Sequence, residues 1–164
     1  MAKKKEAIHY NSYDNPRFSA MWPRPFMYKG QIFKSVEHFY QWRKLHKSEA
    51  ALRAKILNSF DPYKAKHFGS KKAGGKTTAD WDTKKLDVMK IAIRESYMQN
   101  PNDLQVLLDT KDMDLIHDAE WDDFWGVNKA GKGGNNHGIL LMKFRDEMKG
   151  ADVWKVCKAH QIKY

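Results

Sequence analysis

The stretch from about Thr83 to Asn100 constrains the fold more than any other part of the sequence. Four apolar residues recur within it at helical spacing: Leu86, Met89, Ile93 and Tyr97. Pro101 follows and cannot continue a helix, so the pattern predicts one long helix with a single buried stripe. A chain of 164 residues with no internal repeat has room for one core, and we expect this helix to run through it.

Shorter elements are predicted on both sides of the long helix. Residues 26–28 and 31–33 flank Lys29-Gly30, a pattern typical of a tight antiparallel hairpin. Ser35 is a suitable N-cap for a helix over about 36–46. Ser48 is predicted to cap the next helical segment. Further helical segments are predicted from Asp61-Pro62 to Gly69, over about 103–109 and over Ile139–Lys149.

The predicted fold class follows from these elements. We expect an α+β protein, a predominantly α-helical single domain with a small antiparallel sheet near the N-terminus. Residues 1–150 carry the strong patterns and form this domain. Residues 151–164 have only weak helical spacing and are treated as a C-terminal extension.

The distribution of charge bears on the choice of partner. Residues 43–76 carry ten basic and two acidic side chains, whereas residues 77–128 carry five basic and twelve acidic ones. The basic segment suits polyanions, and weak nucleic-acid contact through residues 43–76 is one expectation. A solvated surface that only aids solubility is the alternative. The acidic middle argues against a protein that simply coats DNA.

Several other classes of protein are disfavoured by the sequence. The longest apolar run, Ile139–Met142, is far shorter than the roughly 20 residues that cross a bilayer. The charged start lacks the apolar stretch of a secretory signal. One cysteine, Cys157, excludes an internal disulfide, and the histidines do not show metal-ligand spacing. We therefore expect a cytoplasmic protein without membrane contact, metal or cofactor.

The segment Ser35–Lys44 places three polar residues on one stripe of a helix. Glu37, Gln41 and Lys44 fall at positions i, i+4 and i+7. Such a stripe is either an exposed face with local ion pairs or the polar wall of a functional site. The spacing alone leaves both interpretations open.

Two further segments combine unusual residue types. Glu120–Gly126 sets two tryptophans among three carboxylates, which favours either a site for a planar ligand or a turn anchored in the core. Gly133–Gly138 precedes a helix, where free backbone N–H groups can bind an anion or the loop can serve only as a turn. Trp81, just before the long helix, is either a stacking platform or a hydrophobic staple.

Taken in this order, the segments resemble the NADAR family of YbiA-like N-glycosidases. The family pattern includes G-x-x-F-x-S-V-E-H-x-x-Q-x-x-K, and the resemblance covers about residues 8–148. Its specific parts are the S-V-E-H-x-x-Q-x-x-K run and the last two motifs in register. The corresponding runs are Phe18-Ser19, Gly30–Lys44, Ala65–Gly69, Asp80–Asp82, Asp122–Gly126 and Gly133–Arg145.

The resemblance implies hydrolysis of the N-glycosidic bond of a phosphorylated riboside, or of ADP-ribose attached to a nucleobase. It implies Glu37 and Asp122 as the catalytic carboxylates, with Lys44 on the substrate's phosphate or ribose. The implied substrate-binding residues are Trp81, Trp125, Gly126, Gly133, Asn135, Gln41 and His38. The alternative is a non-catalytic module that binds ADP-ribose or nucleic acid in the same pocket.

Four positions depart from the family pattern. Ala20 stands where Asn is usual, and His117 stands where an acidic residue is common. Ser96 replaces a frequent Lys, and Asn128 replaces the last Gly of W-G-I-G. We expect these positions to line the pocket, where they bear on substrate identity more than on reaction type. Ala20 and His117 are also the features that favour the binding module.

Overall fold

The computed structural model describes residues 5–161. Within this range there are four strands: β1 (Ala7–Tyr10), β2 (Phe26–Tyr28), β3 (Gln31–Phe33) and β4 (Asp114–His117). The α-helices of the same range are α1 (Val36–Lys44), α2 (Ala50–Asn58), α3 (Pro62–Phe68), α4 (Trp81–Met98), α5 (Pro101–Asp109), α6 (Asn136–Glu147) and α7 (Val153–Gln161). None of these helices is long and apolar enough to span a bilayer.

The strands form two separate pairs. The predicted hairpin is confirmed, with Phe26 opposite Phe33 in the antiparallel pair β2–β3. Lys29 and Gly30 both have positive φ angles, of 49° and 78°, as a tight turn of this kind requires. The sequence analysis did not predict the second pair, in which β1 lies parallel to β4. Parallel strands are joined by a long crossover, so no local turn pattern in the sequence predicts them.

Helix α4 occupies the centre of the core, as predicted. Met89, Ile93 and Tyr97 are buried, whereas the prediction for Leu86 is wrong because its side chain is 40% exposed. Helix α1 packs against α4 through rings from both elements. The ring centroids of Tyr40 and Trp81 lie 4.9 Å apart in an edge-to-face arrangement. This contact fixes α1, which carries the polar stripe, against the longest helix of the fold.

Most helix termini follow the local signals. Ser35 caps α1 by accepting a hydrogen bond from the backbone N–H of His38, and Asp61 caps α3 in the same way. The prediction for Ser48 is wrong, because α2 begins two residues later at Ala50 and has no side-chain cap. Helix α6 begins earlier than predicted, at Asn136, inside the segment Gly133–Gly138, the Gly/Asn-rich loop.

The C-terminal extension, as far as it is described, contributes to the core. Val153 and Cys157 of α7 are 4% and 2% exposed and belong to the same apolar cluster as the stripe of α4. His160 Nε2 lies 2.8 Å from Glu95 Oε2 on α4. The extension therefore stabilises the domain on which it packs.

We expect Val153→Ala to lower the free energy of unfolding by about 1.5 kcal/mol, because it removes buried apolar surface. In a chain of this length, that loss corresponds to a fall in Tm of about 3–6 °C. Trp154→Ala is the matched control, since Trp154 lies next in the same helix but is 64% exposed. Equal shifts in Tm for the two variants would show that α7 does not pack as described.

Deletion of residues 151–164 should lower Tm further and leave catalytic turnover largely intact at temperatures where the shortened chain is folded. The reason is that the motifs that carry the family resemblance end near Arg145. Loss of turnover in a truncated protein with intact circular dichroism would show that the extension helps to build the site.

Candidate active site

An open cleft of about 540 Å³ lies between α1, α3 and the loop that follows β4. Its polar walls are formed by titratable or amide side chains and its remaining surface by aromatic rings. Its lining includes Glu37, Tyr40, Gln41, Lys44, Lys66, His117, Trp121, Asp122, Trp125 and His137. The cleft therefore contains carboxylates, cations and rings within one volume of the size typical for small-molecule sites.

Glu37 lies in the first turn of α1, with its carboxyl at the bottom of the cleft. The residue is 7% exposed, and Gln41 Nε2 donates a 2.7 Å hydrogen bond to Glu37 Oε1. Burial raises the pKa of Glu37, and the Gln41 hydrogen bond and the charges of Lys66 and Lys44 oppose this effect only in part. Among residues 5–161, Glu37 forms no ion pair within 4.0 Å, so the polar stripe is not an exposed face with local ion pairs.

Asp122 reaches the same cleft from the loop after β4. Its Oδ1 accepts a hydrogen bond from the backbone N–H of Trp125 at 3.0 Å, which fixes the carboxylate on a tight turn. The charge of Asp122 contributes to the raised pKa of Glu37. Burial, with smaller contributions from both carboxylates, raises the pKa of Tyr40 to about 12. The structure thus brings together the two carboxylates that the sequence places 85 positions apart.

The cationic side of the cleft is formed by two lysines. Burial lowers the pKa of Lys44, while the charge of Glu37 opposes that shift. Lys66 projects from α3 and acts electrostatically on both Glu37 and Lys44. The two cations lie in a cleft whose lining also holds four carboxylates, those of Glu37, Asp118, Glu120 and Asp122. This polarised interior suits a ligand with an anionic end and a centre that becomes positive.

The cleft lining includes residues outside the predicted site, among them Tyr40, Lys66, Trp121 and His137. Tyr40 and Lys66 belong to the runs that carry the family resemblance, so alignment with those runs could have found them. Trp121 is 96% exposed at the rim. His137 is buried, and its Nδ1 lies 2.6 Å from the Tyr10 hydroxyl.

His117 and Ala20 are the two departures from the family pattern that line the cleft. His117 Nδ1 lies 3.2 Å from the carbonyl oxygen of Trp125, and a carbonyl can only accept. Nδ1 therefore carries the proton in the neutral ring, and burial lowers the pKa of His117 and favours that neutral form. Nε2 is then a hydrogen-bond acceptor where an acidic residue is common in the family.

The other two departures lie elsewhere. The Ser96 hydroxyl donates to the carbonyl of Ile93 within α4. Asn128 Oδ1 accepts hydrogen bonds from the backbone of the loop 130–132. The expectation that all four departures line the pocket is therefore wrong for these two, which have local structural partners instead.

Five of the predicted substrate-binding residues do not line the cleft: His38, Trp81, Gly126, Gly133 and Asn135. His38 Nε2 donates to the carbonyl of Ser59, and its Nδ1 accepts from the Ser35 hydroxyl, so its ring joins α1 to the loop after α2. Trp81 packs on Tyr40 and borders a different cavity. By contrast, Gln41 and Trp125 line the cleft as predicted from the resemblance.

The Gly/Asn-rich loop has no free N–H groups at positions 134–137. The backbone N–H groups of these four residues donate to the carbonyls of residues 123–126. The side chain of Asn135 bonds to the backbone of Leu115 and His117. The prediction of an anion site at these N–H groups is therefore wrong, because the groups already donate hydrogen bonds within the protein.

Gly126 and Gly133 are explained by the close approach of these two segments. A Cβ atom at Gly133, where φ is 145°, would lie 2.2 Å from the carbonyl oxygen of Gly126. A Cβ atom at Gly126 would lie 2.4 Å from the carbonyl oxygen of His117. Both glycines thus position the Asp122 loop beneath the cleft, and neither lines it.

Across residues 5–161, no group of His, Cys, Asp and Glu side chains could hold a metal ion.

Sequence comparison matches the NADAR domain over residues 4–149, so the chain belongs to the NADAR family. Among its relatives is the N-glycosidase YbiA of Shigella flexneri, 29% identical over 141 residues that make up 86% of each chain. An N-glycosidase of Nostoc punctiforme is 31% identical over 134 residues, or 80% of this chain and 85% of that one.

A riboflavin biosynthesis protein of Vibrio vulnificus is 31% identical over 140 residues. The match covers 85% of this chain and only 37% of that longer protein. The solution structure of Escherichia coli YbiA superposes with a TM-score of 0.78 at 27% identity, covering 90% of this chain and 87% of the other. The family resemblance and the predicted α+β, mostly helical fold class are therefore confirmed.

We expect Glu37→Gln to stabilise the protein at neutral pH but not in acid. The folded pKa of Glu37 lies above its ordinary value of 4.5, so the unfolded chain ionises first as the pH rises. Between the unfolded and the folded pKa of Glu37, the free energy of unfolding of the wild-type protein falls by about 1.4 kcal/mol for each pH unit. The variant has no carboxyl at this position and does not show this fall. The difference in Tm should be small near pH 4 and should grow toward pH 7.

Glu6→Gln provides the control, because Glu6 is exposed in the structure. Its Tm should follow that of the wild-type protein across the series. A wild-type protein that gains stability over Glu37→Gln as the pH rises would contradict the raised pKa.

Proposed function

We propose that this protein is an N-glycosidase that hydrolyses the bond between a ribose and a nitrogen of its leaving group. The observation that carries the proposal is the meeting of Glu37 and Asp122 in one cleft beside Lys44 and Lys66. Relatives named N-glycosidase support this reaction class. The proposed substrate is a phosphorylated riboside or ADP-ribose attached to a nucleobase.

The proposed reaction proceeds through a positively charged ribosyl group. The C–N bond breaks with its electron pair on the leaving nitrogen, and the ribose carbon develops oxocarbenium character. A fixed carboxylate stabilises that charge more than it stabilises the neutral substrate. Water then adds to the ribose carbon and loses a proton to a carboxylate, and the leaving nitrogen takes up one proton to give the neutral base. Glu37 suits this transfer because its raised pKa brings proton exchange closer to neutral pH.

Binding of the substrate is divided between the two sides of the cleft. Lys44 and Lys66 supply cations for a phosphate, in place of the Gly/Asn-rich loop. Trp125 lines the wall and donates its indole N–H to the Tyr40 hydroxyl at 3.2 Å, which holds the ring in one orientation. Trp121 is exposed at the rim, where it can stack on a planar base. His117 Nε2 is placed to accept a hydrogen bond from such a base.

We expect Glu37→Gln and Asp122→Asn each to lower the single-turnover rate by on the order of 10²–10⁴-fold. Both changes remove the negative charge and nearly keep the size of the side chain. Substrate affinity should change much less, because the positive charge on the ribose develops mainly in the transition state.

Asp123→Asn is the matched control for this experiment. Asp123 is the exposed neighbour of Asp122 and does not line the cleft. Its rate should stay within about two-fold of the wild-type rate. Full activity in both Glu37→Gln and Asp122→Asn would contradict the assignment of the carboxylates.

A module that binds ADP-ribose or nucleic acid without turnover is the second candidate, favoured by His117 in place of the common acidic residue. Incubation with a panel of ribosides, analysed by mass spectrometry, separates the two candidates. An N-glycosidase should release the free base together with ribose phosphate or ADP-ribose. Binding of a riboside by calorimetry without any such product would favour the module. The cytoplasmic location and the weak nucleic-acid contact of residues 43–76 stay predictions.

A further inference from the structure

A second cleft, of about 490 Å³, lies on the other side of α1 from the candidate active site. Its wall is aromatic, formed by Tyr28, Phe33, Trp42 and Trp81. Its cations come from separate parts of the chain: Lys29, Arg43, Lys47, Arg53 and Lys84. No acidic side chain lines it among residues 5–161. The proposed glycosidase reaction makes no use of this cleft.

Most of these cations lack an anionic partner. Lys84 pairs with Asp80, whereas the other four form no ion pair within 4.0 Å among residues 5–161. Burial, and to a lesser degree the like charge of Arg43, lowers the pKa of Arg53. Like charges gathered without a counter-charge favour an anionic ligand.

Arg53 shows the most specific sign of a missing ligand. Its guanidinium carbon lies 3.5 Å from the centroid of the Trp42 ring, a cation–π contact that holds the group over the ring. Its Nε is buried and has no hydrogen-bond partner within the part of the chain that the structure describes. An unsatisfied buried donor on a charged group is costly, and a phosphate oxygen is a good acceptor for it.

We propose that this second cleft binds single-stranded nucleic acid, with the phosphates on Lys29, Arg43, Lys47 and Arg53 and a base near the aromatic wall. Four cations without partners exceed what a single phosphate group neutralises. A positively charged groove with aromatic side chains is the arrangement that binds single strands, because every unpaired base offers a face for stacking. A duplex keeps its bases stacked inside and could use only the cations.

The cleft is independent of the proposed active site, although the two are adjacent. The basic run from Arg43 to Lys47 lies at the end of α1 and borders both clefts. Lys44 lines the active-site cleft, whereas Arg43 and Lys47 line the second cleft. Neither Glu37 nor Asp122 lines the second cleft. Binding there can therefore be removed without altering the carboxylates.

The test is fluorescence anisotropy with a labelled oligothymidylate of about ten nucleotides, measured from about 50 to 200 mM salt. The double variant Lys29→Gln/Lys47→Gln removes two cations of the cleft. Lys90→Gln/Lys143→Gln is the matched control, because it removes the same charge from exposed positions of α4 and α6. Thermal melting checks that both proteins are folded.

The proposal predicts that the cleft variant binds the oligonucleotide about ten-fold more weakly at low salt, while the control stays within about two-fold of wild type. The slope of log K against log salt should become shallower by about 1.4, or about 0.7 for each lost contact. Arg53→Gln should weaken binding as well. Turnover of a small riboside should be unchanged in the cleft variant. The experiment therefore tests the second cleft independently of the proposed N-glycosidase activity.

Three results would overturn the proposal. Equal losses in the cleft variant and the control would assign the binding to net charge. Equal affinity for a duplex of the same length would exclude recognition of a single strand. Affinity for free ADP that matches the affinity for the oligonucleotide would show that the cleft takes a mononucleotide and not a strand.

Discussion

The burial of the Glu37 carboxyl is the constraint on which the rest of the site depends. A carboxylate removed from water costs several kcal/mol unless charges and hydrogen bonds replace its hydration. Here Gln41 supplies the hydrogen bond, and Lys44 and Lys66 supply charge from two different helices. The remaining penalty keeps the pKa of Glu37 raised. The cleft therefore holds a carboxyl whose protonation is easily shifted by a substrate.

Helix α1 has to serve both the core and two clefts. Its residues Phe39 and Tyr40 pack among rings, while Glu37 and Gln41 face the active-site cleft. Tyr40 contacts both Trp81 and Trp125, at 4.9 and 5.5 Å between ring centroids. These contacts tie α4 and the Asp122 loop to the same helix. The carboxylates consequently keep their relative positions without an ion pair between the elements.

The fold could be predicted from the sequence where the signals are local. The caps at Ser35 and Asp61, the hairpin around Lys29-Gly30 and the stop at Pro101 all depend on neighbouring residues, and all are present. The parallel pair β1–β4 depends on segments far apart in the chain, so no local pattern could reveal it.

For the site, spacing placed Glu37, Gln41 and Lys44 on one face, but only packing decides whether that face is exposed. Composition suggested free N–H groups in the Gly/Asn-rich loop, and the acceptors that occupy them come from another segment. Trp81 lines the cleft on the opposite side of α1, which only the packing of α4 against α1 determines. Lys66 joins the site through the packing of α3, which sequence spacing cannot show.

The central claim is that Glu37 and Asp122 share one partly desolvated cleft. The most direct test is a carbon-13 NMR titration of the Glu37 side-chain carboxyl, in the wild-type protein and in Asp122→Asn. The account predicts a pKa above 4.5 in the wild-type protein and a lower value in the variant, because the Asp122 charge contributes to the shift. Lys66→Gln should move the pKa in the opposite direction. A pKa at or below 4.5 that does not respond to Asp122→Asn would contradict the account.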